Sequence, residues 1–248
     1  MAISLDFNPP VIAHRGASAY APENTLSAFI KAAQLGIKWV EFDVMSAACG
    51  EPIIFHDETL DRTTNGHGFV GHYTYTELRA LDAGGWFAPE FSCERIPLLL
   101  DILLFLKEMH LSANIEIKPL AGANESTVVQ ALTLIETIFP QPHPDILLSS
   151  FSIEALHSLR RLSPHCLLGL LLDKWDKGWE KNCIALNCVS VNVNEAILTE
   201  EKALKIKAMG KRLLCYTVND PLRAAELFSW GVDAVFSDIP DKILLLSP

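Results

Sequence analysis

Several features common in membrane and secreted proteins are missing from this sequence. No apolar run approaches the roughly 18 residues that a membrane-crossing helix requires, so we expect no transmembrane span. Residues 1–10 contain neither Lys nor Arg and no apolar core segment, which predicts no signal peptide and a cytoplasmic location. The six cysteines are scattered without a C-x-x-C pair. This pattern fits a reducing compartment better than a disulfide framework.

Positive charge is also scarce. The chain has 20 Lys and Arg residues against 30 Asp and Glu residues, a formal net charge of −10 at pH 7. An acidic chain without a basic cluster is a poor candidate for binding nucleic acid or an anionic membrane, so we expect neither partner. A small anionic substrate is still compatible with this charge, because local cations and a metal ion can outweigh it. We make no prediction of the oligomeric state.

Half of the residues are hydrophobic, and apolar, β-branched runs alternate with segments of helical periodicity. In the second half of the chain, strand candidates are Ile146–Ser150, Leu167–Leu172, Val189–Val193, Leu213–Val218 and Ala234–Ser237, and helix candidates are Glu125–Ile138, Ile153–Leu162, Glu200–Met209 and Pro221–Trp230. Such alternation is typical of a parallel sheet. With a strand about every 30 residues, an α/β fold of the (β/α)8 TIM barrel type is favoured over an open sheet.

The strand count does not match a simple barrel. Nine strand candidates are present, one more than a (β/α)8 barrel needs. The link from Val44 to Pro52 is also too short for a helical crossover. One strand should therefore lie outside the barrel, or that crossover lacks its helix. The first helix is predicted from Asn24, as its N-cap, to Leu35, with an apolar stripe of Leu26, Phe29, Ile30 and Ala33.

Residues 57–97 interrupt the alternation. They are rich in Gly, Thr and aromatic residues and contain one predicted short helix, near Tyr75–Leu81. We interpret them as a small inserted cap over the barrel mouth, within a single catalytic domain that spans residues 1–248. Trp86, Phe87 and Trp175 are candidates for lining a substrate channel, although packing in the core or cap explains them equally well.

Four strand-like runs end in ionisable residues, and the carboxyl ends of barrel strands are where active sites form. Glu41 and Asp43 are two residues apart on one strand, so both side chains point to the same face. Two buried carboxylates repel each other unless a cation lies between them. Glu116 can add a third oxygen from another strand. Oxygen donors without Cys or paired His suit one Mg²⁺ or Ca²⁺ ion.

The other strand-end residues are His14, Arg15, His56 and Lys118. A lone histidine in such a position is best explained as a hydrogen-bonded core residue, but two beside a carboxylate cluster suit paired acid–base catalysis. Arg15 and Lys118 could neutralise the acids as structural salt bridges or hold a phosphate. Asn192 and Asn219, at the ends of later strands, could contact substrate or support the residues that do, but are better explained as capping or turn residues.

These residues fall into motifs that resemble the glycerophosphodiester phosphodiesterase family over almost the whole chain. The motifs are H-R-G (His14–Gly16), P-E-N-T (Pro22–Thr25), E-x-D (Glu41, Asp43), H-D (His56, Asp57), L-x-R-T-T (Leu60–Thr64), E-x-K (Glu116, Lys118), S-S-F (Ser149–Phe151), Y-T-V-N (Tyr216–Asn219), and G-V-D through S-D (Gly231–Asp238). The likeness is greatest to short bacterial cytosolic members. One departure is Ser46–Gly50, where the family often has T-K-D-G.

The resemblance implies a barrel of the phospholipase-C-like phosphodiesterase type with a small cap. It also implies a divalent cation and hydrolysis of glycerophosphodiesters, such as glycerophosphocholine and glycerophosphoethanolamine, to sn-glycerol 3-phosphate and an alcohol. The family's metal ligands map to Glu41, Asp43 and Glu116, and its histidine pair maps to His14 and His56. The alternatives are a phosphate-binding barrel without turnover and a phospholipase-type relative that acts on intact lipid.

Overall fold

The computed structural model describes residues 5–120 and 124–245, and within these ranges the chain forms nine strands and nine α-helices. The strands are β1 (Val11–Ala13), β2 (Trp39–Ser46), β3 (Pro52–Ile54), β4 (Ser112–Ile117), β5 (Ile146–Ser150), β6 (Leu168–Leu172), β7 (Ser190–Asn194), β8 (Arg212–Tyr216) and β9 (Ala234–Ser237). The helices are α1 (Leu26–Gln34), α2 (Tyr75–Leu78), α3 (Leu99–Met109), α4 (Asn124–Ile138), α5 (Ile153–Leu162), α6 (Trp179–Ala185), α7 (Glu200–Ala208), α8 (Pro221–Ser229) and α9 (Pro240–Leu244). The described ranges leave out residues 1–4, 121–123 and 246–248. Two predictions fall partly on these residues, namely the single domain 1–248 and the absence of a signal peptide, and to that extent they lie outside the described residues.

Eight parallel strands close into a barrel. Going around it, the order is β1, β2, β4, β5, β6, β7, β8 and β9. Strand β1 closes the ring, because Ile12 lies opposite Phe236 of β9 on one side and opposite Trp39 of β2 on the other. The predicted (β/α)8 TIM barrel is therefore confirmed.

Strand β3 is the ninth strand and lies outside the barrel. It pairs antiparallel with the second half of β2, with Val44 opposite Ile54. The link between them is a hairpin turn in which the Gly50 N–H donates to the Ala47 carbonyl at 2.9 Å. The prediction that one strand candidate lies outside the barrel is confirmed. The reason is that β2 is long enough to pair with β3 beyond the residues that pair with β1.

The barrel interior changes character from bottom to top. At the bottom, Phe7 packs on Trp39 with ring centroids 4.7 Å apart, in a buried apolar cluster that includes Leu5. Above it lies a layer of buried polar side chains, made of Asn114, Ser149, Ser190 and Asn192. The next inward residues on β2 and β4 are acidic. Because alternate residues of a strand face the same way, Glu41, Asp43 and Glu116 all face the barrel interior near the carboxyl ends of their strands.

The helices cover the outside of the barrel. None of the helices in the described ranges is both long and apolar enough to span a bilayer. Helix α1 corrects two predictions. Its N-cap is Thr25, whose Oγ1 accepts from the Ala28 N–H, and Asn24 lies outside the helix with φ of 57°. Its buried residues are Ala28, Phe29 and Ala32. Of the predicted stripe, Phe29 is buried and Ala33 packs, partly buried, against the core, whereas Leu26 and Ile30 are exposed.

Residues 57–97 contain α2 and two short 3₁₀ turns, at Val70–His72 and Pro89–Phe91. Helix α2 is shorter than the predicted Tyr75–Leu81. The segment packs against the β2–β3 hairpin through its own apolar cluster, made of Met45, Ala47, Ile53, Phe55, Leu60, Val70, Leu78, Ala83, Ile96 and Leu120. This second core holds the segment beside one part of the barrel mouth. Its role as a cap stays a prediction.

Candidate active site

A cavity of about 250 Å³ opens at the carboxyl ends of the barrel strands. Its lining residues are His14, Arg15, Glu41, Asp43, His56, Asn114, Glu116, Phe151, Leu171, Asn194, Tyr216, Thr217 and Phe236. Six of the seven residues singled out in the sequence are among them. The seventh, Lys118, follows β4 and places its Nζ 3.5 Å from Oδ1 of Asp43. The structure thus brings all seven predicted residues together.

Three buried carboxylates form the floor of this cavity. Glu41 and Asp43 project from the same face of β2, and Glu116 lies opposite Asp43 on β4. One oxygen from each lies within 4.8 Å of the others, and their exposed fractions are 4%, 1% and 8%. Three acidic groups this close, with so little access to water, have the donor set and spacing of a cation site.

The carboxylates also titrate abnormally. Burial, together with the charges of Asp43 and Glu116, raises the pKa of Glu41 well above its usual range. Burial and the charge of Asp43 raise the pKa of Glu116 to about 8. Burial opposes ionisation of Asp43 as well, but Lys118 and Arg15 outweigh it and lower the pKa of that carboxyl. Burial and mutual repulsion thus oppose full ionisation of the cluster, and a bound cation would favour it.

A carboxylate that directly follows β9, the neighbour of β1, holds the His14 ring. Its Nδ1 lies 2.7 Å from Oδ1 of Asp238, and its Nε2 lies 4.0 Å from Oε2 of Glu41. Ser18 Oγ and Asn219 Nδ2 both donate to Asp238, at 2.8 and 2.6 Å. Burial raises the pKa of Asp238, but these hydrogen bonds and His14 outweigh it and lower the value to about 2. Asp238 is thus a fixed negative charge that orients the imidazole.

His56 has a matching partner. Its Nδ1 lies 2.5 Å from Oδ1 of Asp57, whose pKa is lowered because hydrogen bonds from Arg62 and His56 outweigh its burial. Burial lowers the pKa of His56, and the positive charges of Arg15 and Lys118 lower it further against the opposing charge of Asp43. In both histidines, a carboxylate occupies Nδ1 and leaves Nε2 for another contact.

Arg15 lies in a tight turn between β1 and α1. Its φ is 54°, and its backbone N–H donates to Oε2 of Glu41 at 2.8 Å. The next residue, Gly16, has φ of +80°, and a Cβ there would lie 2.6 Å from Cβ of Ala28. The turn therefore requires glycine. Through Nη1, Arg15 donates to Glu23 at 2.7 Å, while its buried Nε has no hydrogen-bond acceptor among the described residues.

Sequence reasoning missed the roles of five supporting residues, which are Glu23, Asn24, Asp57, Arg62 and Asp238. Asn24 is interpreted from the sequence as a helix cap, but its Nδ2 donates to Oδ2 of Asp43 at 2.9 Å. Asn219 donates to Asp238, which confirms its supporting role, the alternative to a cap or turn residue. The motifs P-E-N-T, H-D, L-x-R-T-T and S-D contain the five missed residues, so a signal is present, but it does not reveal their partners.

The cavity wall opposite the acids is aromatic. Phe151, which is 45% exposed, and Tyr216 meet edge to face with ring centroids 5.9 Å apart. The three aromatic candidates for a channel, Trp86, Phe87 and Trp175, are not among the lining residues of this cavity. Trp86 and Phe87 pack on each other within 57–97, and Trp175 packs on Trp179.

Comparison with known proteins identifies the family of this chain. Residues 14–242 match the model of the glycerophosphoryl diester phosphodiesterase family. A glycerophosphodiester phosphodiesterase of Caldanaerobacter subterraneus is 33% identical over 244 residues, which cover 95% of this chain and 96% of that protein. The structure of an Oleispira antarctica phosphodiesterase in complex with the product sn-glycerol 3-phosphate has a TM-score of 0.92, with 39% identity and 96% coverage of both chains. A glycerophosphodiester phosphodiesterase structure from Agrobacterium tumefaciens has a TM-score of 0.81, with 30% identity and coverage of 95% of this chain and 98% of that one. The chain therefore belongs to the glycerophosphoryl diester phosphodiesterase family, and it is an enzyme, a phosphoric diester hydrolase.

Proposed function

We propose that this enzyme hydrolyses small, deacylated glycerophosphodiesters, such as glycerophosphocholine and glycerophosphoethanolamine, to sn-glycerol 3-phosphate and an alcohol, with the help of one divalent cation. The observation that carries the proposal is the cluster of Glu41, Asp43 and Glu116, which lies between two histidines that are each oriented by a carboxylate. The sn-glycerol 3-phosphate bound in the Oleispira antarctica structure supports this product. The proposal includes a cytoplasmic location and a cap formed by residues 57–97.

The three carboxylates fit a divalent cation on their own chemistry. One oxygen from each lies within 4.8 Å of the others, and burial, together with the charge of Asp43, raises the pKa of both Glu41 and Glu116. Glu41, Asp43 and Glu116 would hold the ion, and an all-oxygen set suits Mg²⁺ or Ca²⁺. When bound, the cation stabilises negative charge that develops on the phosphate.

Arg15 and Lys118 would bind the phosphate. Both lie beside Asp43, with Arg15 Nε 3.6 Å from Oδ2 and Lys118 Nζ 3.5 Å from Oδ1. The buried Arg15 Nε has no hydrogen-bond acceptor in the described part of the chain, so it can donate to a phosphate oxygen. Two cations at the rim of an acidic site favour a single phosphate over a polyanion, because the chain as a whole repels extended negative charge.

His14 and His56 would transfer the protons. The carboxylates at their Nδ1 atoms leave each Nε2 to exchange a proton with the substrate. We assign His14 as the base that takes the proton of the attacking oxygen. His56 is then the acid that protonates the oxygen of the leaving alcohol. The attacking oxygen belongs to water or to the glycerol arm of the substrate.

One assay tests the proposal. The release of sn-glycerol 3-phosphate from glycerophosphocholine is measured with the purified chain, after EDTA treatment, and after addition of Mg²⁺ or Ca²⁺. We expect activity that EDTA abolishes and one of these ions restores. Full activity in excess EDTA, with metal analysis showing no retained ion, would contradict the cation. A higher kcat/KM on phosphatidylcholine vesicles than on glycerophosphocholine would favour the phospholipase-type alternative.

A further inference from the structure

Arg62 connects the loop that follows β1 with the loop that follows β3, through Glu23 and Asp57. Its Nε and Nη2 donate to the two carboxylate oxygens of Asp57, at 2.6 and 3.0 Å. Its Nη1 and Nη2 donate to the two oxygens of Glu23, at 2.6 and 2.8 Å. One planar guanidinium thus holds two carboxylates, each through a pair of hydrogen bonds.

Each of these carboxylates also holds a residue of the site. Glu23 accepts a hydrogen bond from Nη1 of Arg15 at 2.7 Å, and Asp57 lies 2.5 Å from Nδ1 of His56. A continuous chain of charged contacts therefore runs from Arg15 through Glu23, Arg62 and Asp57 to His56. Arg62 itself is not among the residues that line the cavity, and its side chain is 44% exposed. It therefore acts on the site through its two partners.

We propose that Arg62 is a positioning residue, which sets the distance and orientation between the phosphate-binding Arg15 and the acid–base His56. The inference rests on the proposed function, because that function supplies the roles of Arg15 and His56. Without Arg62, Asp57 and Glu23 lose the contact that fixes their rotamers, and each is then free to turn toward solvent. Lysine cannot replace the arginine, because a single ammonium cannot make four hydrogen bonds in one plane.

The proposal gives residues 57–97 a specific part in catalysis. Asp57 and Arg62 both belong to this segment, whereas Glu23 precedes α1. The segment thus supports His56 through Asp57 and Arg15 through Glu23, while its own Trp86 and Phe87 are not among the lining residues of the cavity. Glu23 of the P-E-N-T motif and Arg62 of the L-x-R-T-T motif do not line the cavity. Their contacts with Arg15, Asp57 and each other give both residues a role there all the same.

The first test compares Arg62→Gln, Arg62→Lys and the control Arg79→Gln, which alters an exposed arginine of the same segment that lies over the Tyr75 ring. For glycerophosphocholine we expect Arg62→Gln to lower kcat and raise KM, with kcat/KM reduced about 10- to 100-fold, as is usual when a partner of a site residue is removed. Arg62→Lys should recover little, and Arg79→Gln should match the wild type. Thermal unfolding of each variant shows whether the fold is intact.

A double-mutant cycle with Asp57→Asn separates positioning from general destabilisation. If Arg62 acts on His56 through Asp57, then Arg62→Gln should lower kcat much less in the Asp57→Asn background than in the wild type. A value of kcat/KM within twofold of wild type in Arg62→Gln would overturn the proposal, and so would an equal loss of kcat in both backgrounds.

A second measurement is independent of catalysis. The ¹⁵N chemical shifts of the His56 ring report which nitrogen carries the proton, and the contact with Asp57 should keep it on Nδ1 in the wild type. In Arg62→Gln we expect a mixture of the two neutral tautomers. If the wild type does not cleave glycerophosphocholine, the proposed function fails, and the ring shifts alone then decide the role of Arg62. An unchanged Nδ1 tautomer in the variant would contradict it.

Discussion

At the scale of single residues, the two histidines are the sharpest test of the mechanism. His14→Ala and His56→Ala should each lower kcat for glycerophosphocholine by at least ~10²-fold, the usual loss when a general acid or base is removed. The physical reason is that each Nε2 is the atom left free for proton transfer once a carboxylate holds Nδ1. Steady-state kinetics at saturating cation check this.

His157→Ala is the matched control, because His157 is exposed on α5 and far from the acidic cluster along the chain. It should leave kcat and KM unchanged. If either catalytic variant changed only KM, that histidine would bind substrate rather than transfer a proton. An unfolded variant is recognised by the loss of its cooperative thermal transition.

The site shows which residues a sequence can predict and which need tertiary structure. Glu41, Asp43 and Glu116 are predictable because strand alternation alone puts them on one face, at the ends of strands that a parallel barrel brings together. Asp238 is different, since it meets His14 only because β9 closes the barrel against β1, and the two residues are 224 positions apart. Asn24 is hidden by its residue type, because Asn before a helix is ordinarily a cap.

At the scale of elements, the same contrast appears between pattern and packing. The bounds of α5, β5 and β9 are predicted to the residue, because each is flanked by clear polar or turn residues. The buried stripe of α1 is predicted only in part. Phe29 is buried as expected, but the helix approaches the β1 turn so closely that Ala28 and Ala32 are buried with it while Leu26 and Ile30 are exposed. Hydrophobicity indicates that a helix has a buried face, but the approach of neighbouring elements decides which residues form it.

The close approach of α1 to the β1 turn gives a prediction about Gly16. Gly16→Ala should destabilise the protein more than Gly36→Ala, although the two glycines have similar φ values of +80° and +76°. Both variants suffer the strain of a left-handed residue, of order 1–3 kcal/mol. At Gly16 the new Cβ also meets Ala28 at 2.6 Å, whereas nothing lies within 4 Å at Gly36.

Chemical denaturation of both variants measures this difference, because the shared φ strain cancels and the collision with α1 remains. Since Gly16 adjoins Arg15, we also expect Gly16→Ala to weaken catalysis, while Gly36→Ala keeps the wild-type kcat/KM. Equal losses of unfolding free energy in the two variants would show that α1 can move away from the turn without cost.

At the scale of the whole molecule, the barrel carries an electrostatic conflict at its mouth. Folding brings Glu41, Asp43 and Glu116 together, and burial with mutual repulsion raises the pKa of two of them. The surrounding protein must stabilise this arrangement, and Asn24, Arg15 and Lys118 lower the pKa of Asp43 but do not offset the burial of Glu41 and Glu116. A ligand that binds the folded state and relieves the repulsion therefore stabilises the entire fold.

This reasoning predicts how cations change the thermal stability. Mg²⁺ or Ca²⁺ should raise the Tm of the metal-free wild type, because an ion at 100 times its Kd adds about 2.7 kcal/mol to the unfolding free energy. In Glu41→Gln the same ion should produce little or no increase. Without added ion, this variant should be at least as stable as the wild type, because it removes one of three repelling acids and its amide oxygen still accepts the Arg15 N–H.

Calorimetry with and without EDTA compares the Tm of the wild type and of Glu41→Gln, each in the metal-free and in the cation-loaded state. Glu41→Gln should therefore leave the metal-free protein as stable or more stable, and make the cation-loaded protein less stable than the loaded wild type. This pair of results is expected only if the Glu41 carboxylate destabilises the fold in the absence of the ion and binds the ion when it is present. If Glu41→Gln lowered Tm equally in both states, Glu41 would be a structural residue of the barrel rather than a cation ligand.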